Sequence, residues 1–252
     1  VQPLRKGRLV ARVAQEAGDV QRAQALRQMC FRGAAATGLD ADRHDPDCLH
    51  VLVEDTDSGA LVCCYRLLPL SGGAEIGRSY SAQFYDLRPL RSFPGPMVEM
   101  GRFCIAPDQR DPDILRLAWG AMTRIVDGMG AELLFGCASF IGTDADRHAE
   151  AFTLLRAGHL APRRWLPRVK APRVFRFAKA LAGREPDRKQ GLLTMPPLLR
   201  TYLSMGGWVS DHAVVDDQLG TLHVFTGVEI RAIPEARARA LRMVASPEPG
   251  AA

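Results

Sequence analysis

The chain has 252 residues, 47% hydrophobic and 24% charged, which suits one packed domain with or without an extension and excludes disorder as the default. Lys and Arg number 33 against 28 Asp and Glu, a formal +5, compatible with ordinary solubility or with an acidic partner such as a carrier protein, an anionic membrane surface or nucleic acid. No zinc-finger spacing, RNP-type pattern or basic helix favours nucleic acid, no apolar run approaches ~18 residues, and no apolar signal-peptide core follows the basic first residues.

In chain order, residues 7–13 alternate as a short strand. Asp19 reads as the N-cap of a helix on which Val20, Ala23, Arg27, Cys30, Phe31 and Ala34 recur at helical spacing. Arg27 inside that apolar stripe either snorkels outward or meets a buried anion. Residues 39–47 form a polar, acidic loop. Residues 50–54 and 61–67 are apolar runs around Asp55-Thr56-Asp57-Ser58-Gly59, a hairpin signature, with Arg66 closing the second strand. Gly72-Gly73 marks a loop, and residues 79–96 are rich in Tyr, Phe and Pro.

Residues 97–105, Met97-Val98-Glu99-Met100-Gly101-Arg102-Phe103-Cys104-Ile105, read as a strand carrying two opposite charges. Strict alternation places Glu99 and Arg102 on opposite faces, and a β-bulge at Gly101 would bring them to one side. Such a pair is either a built site or a structural ion pair. Asp111 and Pro112 open the clearest helix, with Ile114, Leu115, Ala118, Ala121, Met122, Ile125, Val126 and Met129 as its apolar stripe and Gly128 and Gly130 as its stop. A buried strand follows at 132–137, then a helix at 145–157, a Pro/Arg-rich stretch at 162–172, a strand at 173–177, a charged linker at 183–190 and a helix at 197–205. A strand at 221–225 and a helix at 234–244 complete the set.

Strands and helices are mixed, with hairpins and at least one β-α-β unit, so the class is α+β (mixed α/β). The expected boundaries are a core over 1–182, the linker 183–190, a C-terminal extension packed on the core over 191–245 and a disordered tail over 246–252. Six cysteines stand at 30, 48, 63, 64, 104 and 137 with no C-x-x-C pair, the usage of a reducing cytosol. The six histidines have no ligand spacing, so no metal is expected. Ser139 and His212 invite a nucleophilic reading, but no G-x-S-x-G elbow exists and a direct amine attack needs no acyl-enzyme.

Strand, loop, helix, strand resembles the cofactor-binding core of the GCN5-related acyltransferases, where a loop of the form Q/R-x-x-G-x-G/A delivers a pyrophosphate to the helix start. Here Gln109-Arg110-Asp111-Pro112-Asp113-Ile114 lacks the glycines and adds two acids, which disfavours coenzyme A and better tolerates the single phosphodiester of a carrier-bound 4′-phosphopantetheine. The order Arg27, Phe31, Asp42, Asp45, Arg66-Leu67-Leu68-Pro69 and Glu99-Met100-Gly101-Arg102-Phe103 resembles acyl-homoserine-lactone synthases. Their tryptophan is replaced by Ala34-Ala35-Ala36, which counts against an S-adenosylmethionine acceptor.

Residues 80–87, 99–119, 134–144, 159–162 and 205–213 are more closely similar to the bacterial ornithine N-acyltransferase family, the likeness covering roughly 8–244. It implies transfer of a 3-hydroxyacyl chain from acyl carrier protein to the α-amine of L-ornithine, giving a lyso-ornithine lipid, in a cytoplasmic protein peripheral to the inner membrane. No cofactor is expected beyond the donor's phosphopantetheine arm. On this reading Glu99 is the base, with Arg102 beside it. Asp42 and Asp45 take the acceptor's cation, and Arg27 or Arg66 its carboxylate, with Phe31, Asp211 and His212 shaping the pocket. Phe103, Cys104 and Ile105, with Arg110, Ser139 and Phe140, line the acyl and pantetheine path, the N–H groups near Phe103 and Cys104 facing the thioester oxygen. Basic segments at 5–8 and 163–173 suit the carrier or the leaflet. The rivals are a signal synthase or other amine acyltransferase, and a non-catalytic module that docks acyl carrier protein.

Overall fold

The computed structural model describes residues 2–33 and 35–245. Its first predicted strand, at 7–13, is present as β2 (Leu9–Val13), and an unpredicted β1 (Leu4–Lys6) pairs with it across a turn at Gly7, whose φ of 53° a tight hairpin favours. Helix α1 (Ala17–Arg32) starts before Asp19, which does not cap it. Asp19 takes both terminal nitrogens of Arg12 at 2.6 Å, a bidentate charged pair stronger than a cap bond. Strands β3 (Leu49–Asp55) and β4 (Leu61–Leu70) form the expected hairpin. Arg66 lies inside β4 rather than at its end, because buried Leu67, Leu68 and Leu70 carry the strand on.

The Tyr/Phe/Pro-rich region folds as short 3-10 turns around β5 (Tyr85–Asp86). Then come β6 (Met97–Ile105), α2 (Pro112–Gly128) and β7 (Leu133–Ile141). Helix α2 starts as its sequence dictates, Asp111 accepting the Asp113 N–H at 2.9 Å with Pro112 at the first position. Helix α3 (Ala149–Gly158) and strand β8 (Arg168–Val169) follow, β8 pairing with β5. The predicted strand at 173–177 shrinks to β9 (Val174–Phe175), since Phe177 opens α4 (Phe177–Ala180) and is fully buried. The charged stretch at 183–190 runs into α5 (Arg188–Thr194), capped by Asp187 on the Gln190 N–H at 3.0 Å. Helix α6 (Pro197–Ser204), strands β10 (Trp208–Val209), β11 (Ala213–Asp216) and β12 (Thr221–Glu229), and helix α7 (Glu235–Ala245) complete the α+β chain. Strands β7 and β12 each outrun their predicted ends because they pair with one another from Leu133–Glu229 to Ile141–Thr221. The expected tail at 246–252 and Ala34 of the helical stripe lie outside the described residues.

The chain divides into two compact units, each assembled from separate stretches of sequence. The first takes the described residues up to Pro69, then Met100–Ala131 and those from Glu235 on. Its strands run in the order β1-β2-β3-β4, followed by the later part of β6. Helices α2 and α7 pack closely at Gly120, where a Cβ would meet Leu4 and Val244 at 3.0 Å. The second unit takes Leu70–Glu99 and Glu132–Pro234. Its order is the early part of β6, then β7-β12-β11-β9, with β10 on β12. Phe140, Phe152, Phe177, Leu199, Leu222 and Val224 form its core.

Candidate active site

In the first unit, Arg27 meets buried anions. It is 1% exposed, with Nε on Asp40 at 2.9 Å and the terminal nitrogens on Asp45 at 3.0 and 2.9 Å. Arg66, 3% exposed, donates to Asp42 at 2.6 and 2.7 Å and to Asp45 at 2.5 Å. Arg102 joins Asp40 at 2.9 Å and Asp42 at 3.3 Å, and Gln24 donates to Asp45 at 2.9 Å. The acidic loop is therefore no solvated surface: Asp40, His44 and Asp45 are buried in it. It folds that way because α1 presents Gln24 and Arg27 one turn apart and β4 and β6 supply the other two cations.

Burial opposes ionisation of Asp42 and Asp45, yet Arg66 on the one and Arg27 on the other hold both carboxyls well below the usual range. Burial also opposes charge on Arg27 and Arg66, and Asp45 and Asp42 respectively keep them protonated. Burial pushes His50 down, so it sits neutral with Nε2 3.0 Å from the Asp45 carbonyl. Three guanidinium groups face three carboxylates, so an acceptor's ammonium reaches Asp42 or Asp45 only by displacing an arginine.

The backbone irregularity expected at Gly101 falls on Arg102, whose φ is 56°. A left-handed non-glycine residue costs about 1–2 kcal/mol. The Asp40 and Asp42 pairs offset it, with the Phe31 ring 5.9 Å from the guanidinium. Beyond it Phe103 stacks on Tyr65 at 5.7 Å, Cys104 lies 3.6 Å from Cys64, and the Ile105 carbonyl accepts from the Cys30 thiol at 3.5 Å. Arg110 folds onto its own loop, donating to the Pro107 and Gln109 carbonyls at 2.8 and 3.2 Å. The negative charge read at the start of α2 is offset: Asp113 pairs with Lys6 at 3.1 Å and Arg116 at 2.8 Å, and Asp111 lies 3.6 Å from Arg8.

In the second unit, Glu99 is 4% exposed and takes donors from the turn at Ser81. Its Oε2 accepts the Tyr80 N–H at 2.7 Å, and its Oε1 accepts the Ser81 N–H at 2.7 Å and the Ser81 hydroxyl at 2.6 Å. The 3-10 turn Ser81–Gln83 supplies these because the first N–H groups of a helical turn have no partner inside it. Ser81 Oγ is in turn 3.3 Å from Cys137 Sγ on β7. Further along β7, Ser139 is exposed and in register with His223, while Phe140 faces the core against Phe152 at 4.8 Å. His212 is closed to solvent, its Nδ1 donating to the half-exposed Asp211 at 2.6 Å. Tyr85 touches the His212 and His223 rings, with centroids 5.2 and 5.6 Å away, and burial pushes His223 down to about 4.

The predicted residues thus fall into two groups. Arg27, Phe31, Asp42, Asp45, Arg66 and Arg102 gather in the first unit, while Glu99, Ser139, Phe140, Asp211 and His212 belong to the second. Within its own unit Glu99 takes donors from the Tyr80–Ser81 turn, and within the other Arg102 pairs with Asp40 and Asp42. Asp40, Gln24, Ser81 and Cys137 were missed. Asp40 alternates with Asp42 in the acidic loop, and Ser81 lies in a stretch already singled out. Nothing local marks Gln24 or Cys137. Among the described residues, no helix is long and apolar enough to cross a membrane.

Residues 23–120 match a family model for an acetyltransferase (GNAT) domain. A Rhodobacter capsulatus protein named L-ornithine N(alpha)-acyltransferase is 34% identical over 238 residues, 89% of this chain and 91% of that one. A Brucella abortus protein of the same name is 32% identical over 245 residues, 91% and 87% of the two chains. Among solved structures, an N-acyl amino acid synthase from uncultured soil microbes covers 97% of this chain and 98% of its own at 9% identity, with a TM-score of 0.48. Identity at this level across nearly all of both chains makes this chain an acyltransferase of the L-ornithine N(alpha)-acyltransferase family, with a GNAT-type domain.

Proposed function

We propose that the chain moves a 3-hydroxyacyl group from the 4′-phosphopantetheine arm of acyl carrier protein to the α-amine of L-ornithine, giving lyso-ornithine lipid. The observation that carries this is the 34% identity to a relative of that acceptor name over 91% of its length. The reaction takes place at the cytoplasmic face of the inner membrane, where an amphiphilic product leaves; the basic surface residues Arg163, Arg164 and Arg168 suit an acidic carrier or leaflet.

The ammonium must lose a proton before it attacks. Glu99 accepts it: the Tyr80 and Ser81 donors fix the carboxylate's direction. The nitrogen then bonds to the thioester carbon, the carbon–sulfur bond breaks, and the nitrogen's second proton goes to the departing thiolate. The sum is amide, carrier thiol and one proton released. In the first unit, the paired network of Arg27, Arg66 and their aspartates holds the left-handed turn at Arg102.

The test is purified protein with 3-hydroxyacyl carrier protein and one amine at a time, read by mass spectrometry. Ornithine-dependent N-acyl product is expected. Equal product from lysine, glutamine or S-adenosylmethionine, or transfer from acyl-coenzyme A but not from the carrier, would overturn the reading.

A further inference from the structure

We infer that Ser81 is the positioning residue through which Glu99 works, and that the proton Glu99 takes up passes by way of Cys137. This rests on the amine acylation proposed above. Three side chains from three elements form one chain: Cys137 Sγ on β7, 3.3 Å from Ser81 Oγ on the 3-10 turn, which is 2.6 Å from Glu99 Oε1 on β6. Its direction is fixed. The carboxylate only accepts, so the Ser81 hydroxyl proton points to Glu99, and the serine oxygen is left to accept from the thiol. The Tyr80 and Ser81 N–H groups hold the carboxylate so that Oε1 meets Ser81.

Exposure grades along the chain. Ser81 is closed to solvent and Glu99 nearly so, whereas Cys137 is half-buried, so the thiol is the outward end. The buried phenols nearby do not compete. Burial, together with Cys137, pushes Tyr85 and Tyr202 far above their ordinary value, so both stay protonated.

The step balances. The ammonium proton moves to Cys137 Sγ as the thiol proton moves to Ser81 Oγ and the serine proton to Glu99 Oε1. The amine has lost one proton, Glu99 has gained one, and Cys137 and Ser81 end as they began. No bond to the acyl group forms at the thiol.

The experiment is steady-state turnover of the full chain with 3-hydroxyacyl carrier protein and ornithine between pH 7 and 9.5, for wild type, Ser81→Ala, Cys137→Ala and Cys137→Ser. At pH 7, Ser81→Ala and Cys137→Ala should each lower kcat by about 100-fold, with little change in either KM. Cys137→Ser should restore most of the loss, since a hydroxyl relays a proton too. The Cys137→Ala deficit should shrink toward pH 9.5, where more of the amine arrives already free. Three results would overturn the inference: unchanged kcat in Cys137→Ala; equal losses in the Ala and Ser variants at every pH, which is packing alone; or an acyl adduct on Cys137, which is covalent catalysis. Should wild type ignore ornithine, the functional reading fails, and the same variants are compared on whichever amine it does acylate.

Discussion

Around Arg27 and Arg66 the buried cations meet carboxylates at 2.5 to 3.0 Å, whereas the 3-10 turn at Ser81 brings two backbone N–H groups and a hydroxyl to Glu99. The two regions bring different groups to a buried charge. Matched charges cancel, which gives a stiff scaffold with little field left over for chemistry. Neutral dipoles from the turn fix the direction of the Glu99 carboxylate, which a proton acceptor requires.

Removing one partner is the strongest way to break this contrast. Arg27→Met leaves two aspartates facing too little positive charge and should cost about 3–5 kcal/mol in urea unfolding. A cost below about 1 kcal/mol would mean the network is not a scaffold.

Acid comes next. His223 is held near 4 by burial, below the ordinary imidazole value of about 6.5, so in that window the unfolded chain binds a proton the folded chain refuses. Its stability contribution is complete above about pH 6.5 and lost as pH falls toward 4, on the order of 3 kcal/mol. His50 in the first unit acts in the same direction. Asp42 and Asp45 differ: their contribution is complete above about pH 4 and is lost only as pH falls through their depressed folded values. Hydrogen exchange of β7 and β12 amides, corrected for intrinsic rates, should accelerate between pH 6.5 and 4, and His223→Gln should flatten that dependence.

Glu99→Gln sharpens the contrast from the other side. It should lower kcat by about 100-fold or more. Its stability loss, from an amide group set against a backbone N–H, should be about 1–3 kcal/mol, less than that of Arg27→Met. If it unfolds the protein as badly as Arg27→Met while the remaining folded fraction keeps its kcat, Glu99 is a structural carboxylate. The smallest effect is local: Asp111→Ala should cost about 1 kcal/mol by freeing the cap of α2, readable as a small shift in thermal melting.

The legible parts were those written within one turn of chain. Asp111 and Pro112 announced α2, and the Asp-Thr-Asp-Ser-Gly turn announced the β3–β4 hairpin. The long reach of β7 was not legible, because its last residues pair with a strand some eighty positions later. Arg27 could be flagged as an anomaly in an apolar stripe, but its partners depend on how the loop at 39–47 folds back. A β-bulge was legible at Gly101 but the left-handed backbone of Arg102 was not, since the Asp40 and Asp42 partners that hold it come from the acidic loop. Glu99 was found by motif, but its cradle was not, since Ser81 and Cys137 lie 56 residues apart.

The closing of α2 by α7 fixes a calendar for synthesis. The unit that opens the chain holds β1 to β4, yet it is not complete until Glu235–Ala245 has been made and laid against Gly120. The other unit has all its residues once Pro234 is out. On the ribosome the later-starting unit is therefore the first with its parts in hand, while the N-terminal strands wait with apolar faces open. A stop just before α7 should spare the amides of β7 and β12 and strand the Arg27 network unfinished, so chaperone demand should fall on β1 to β4.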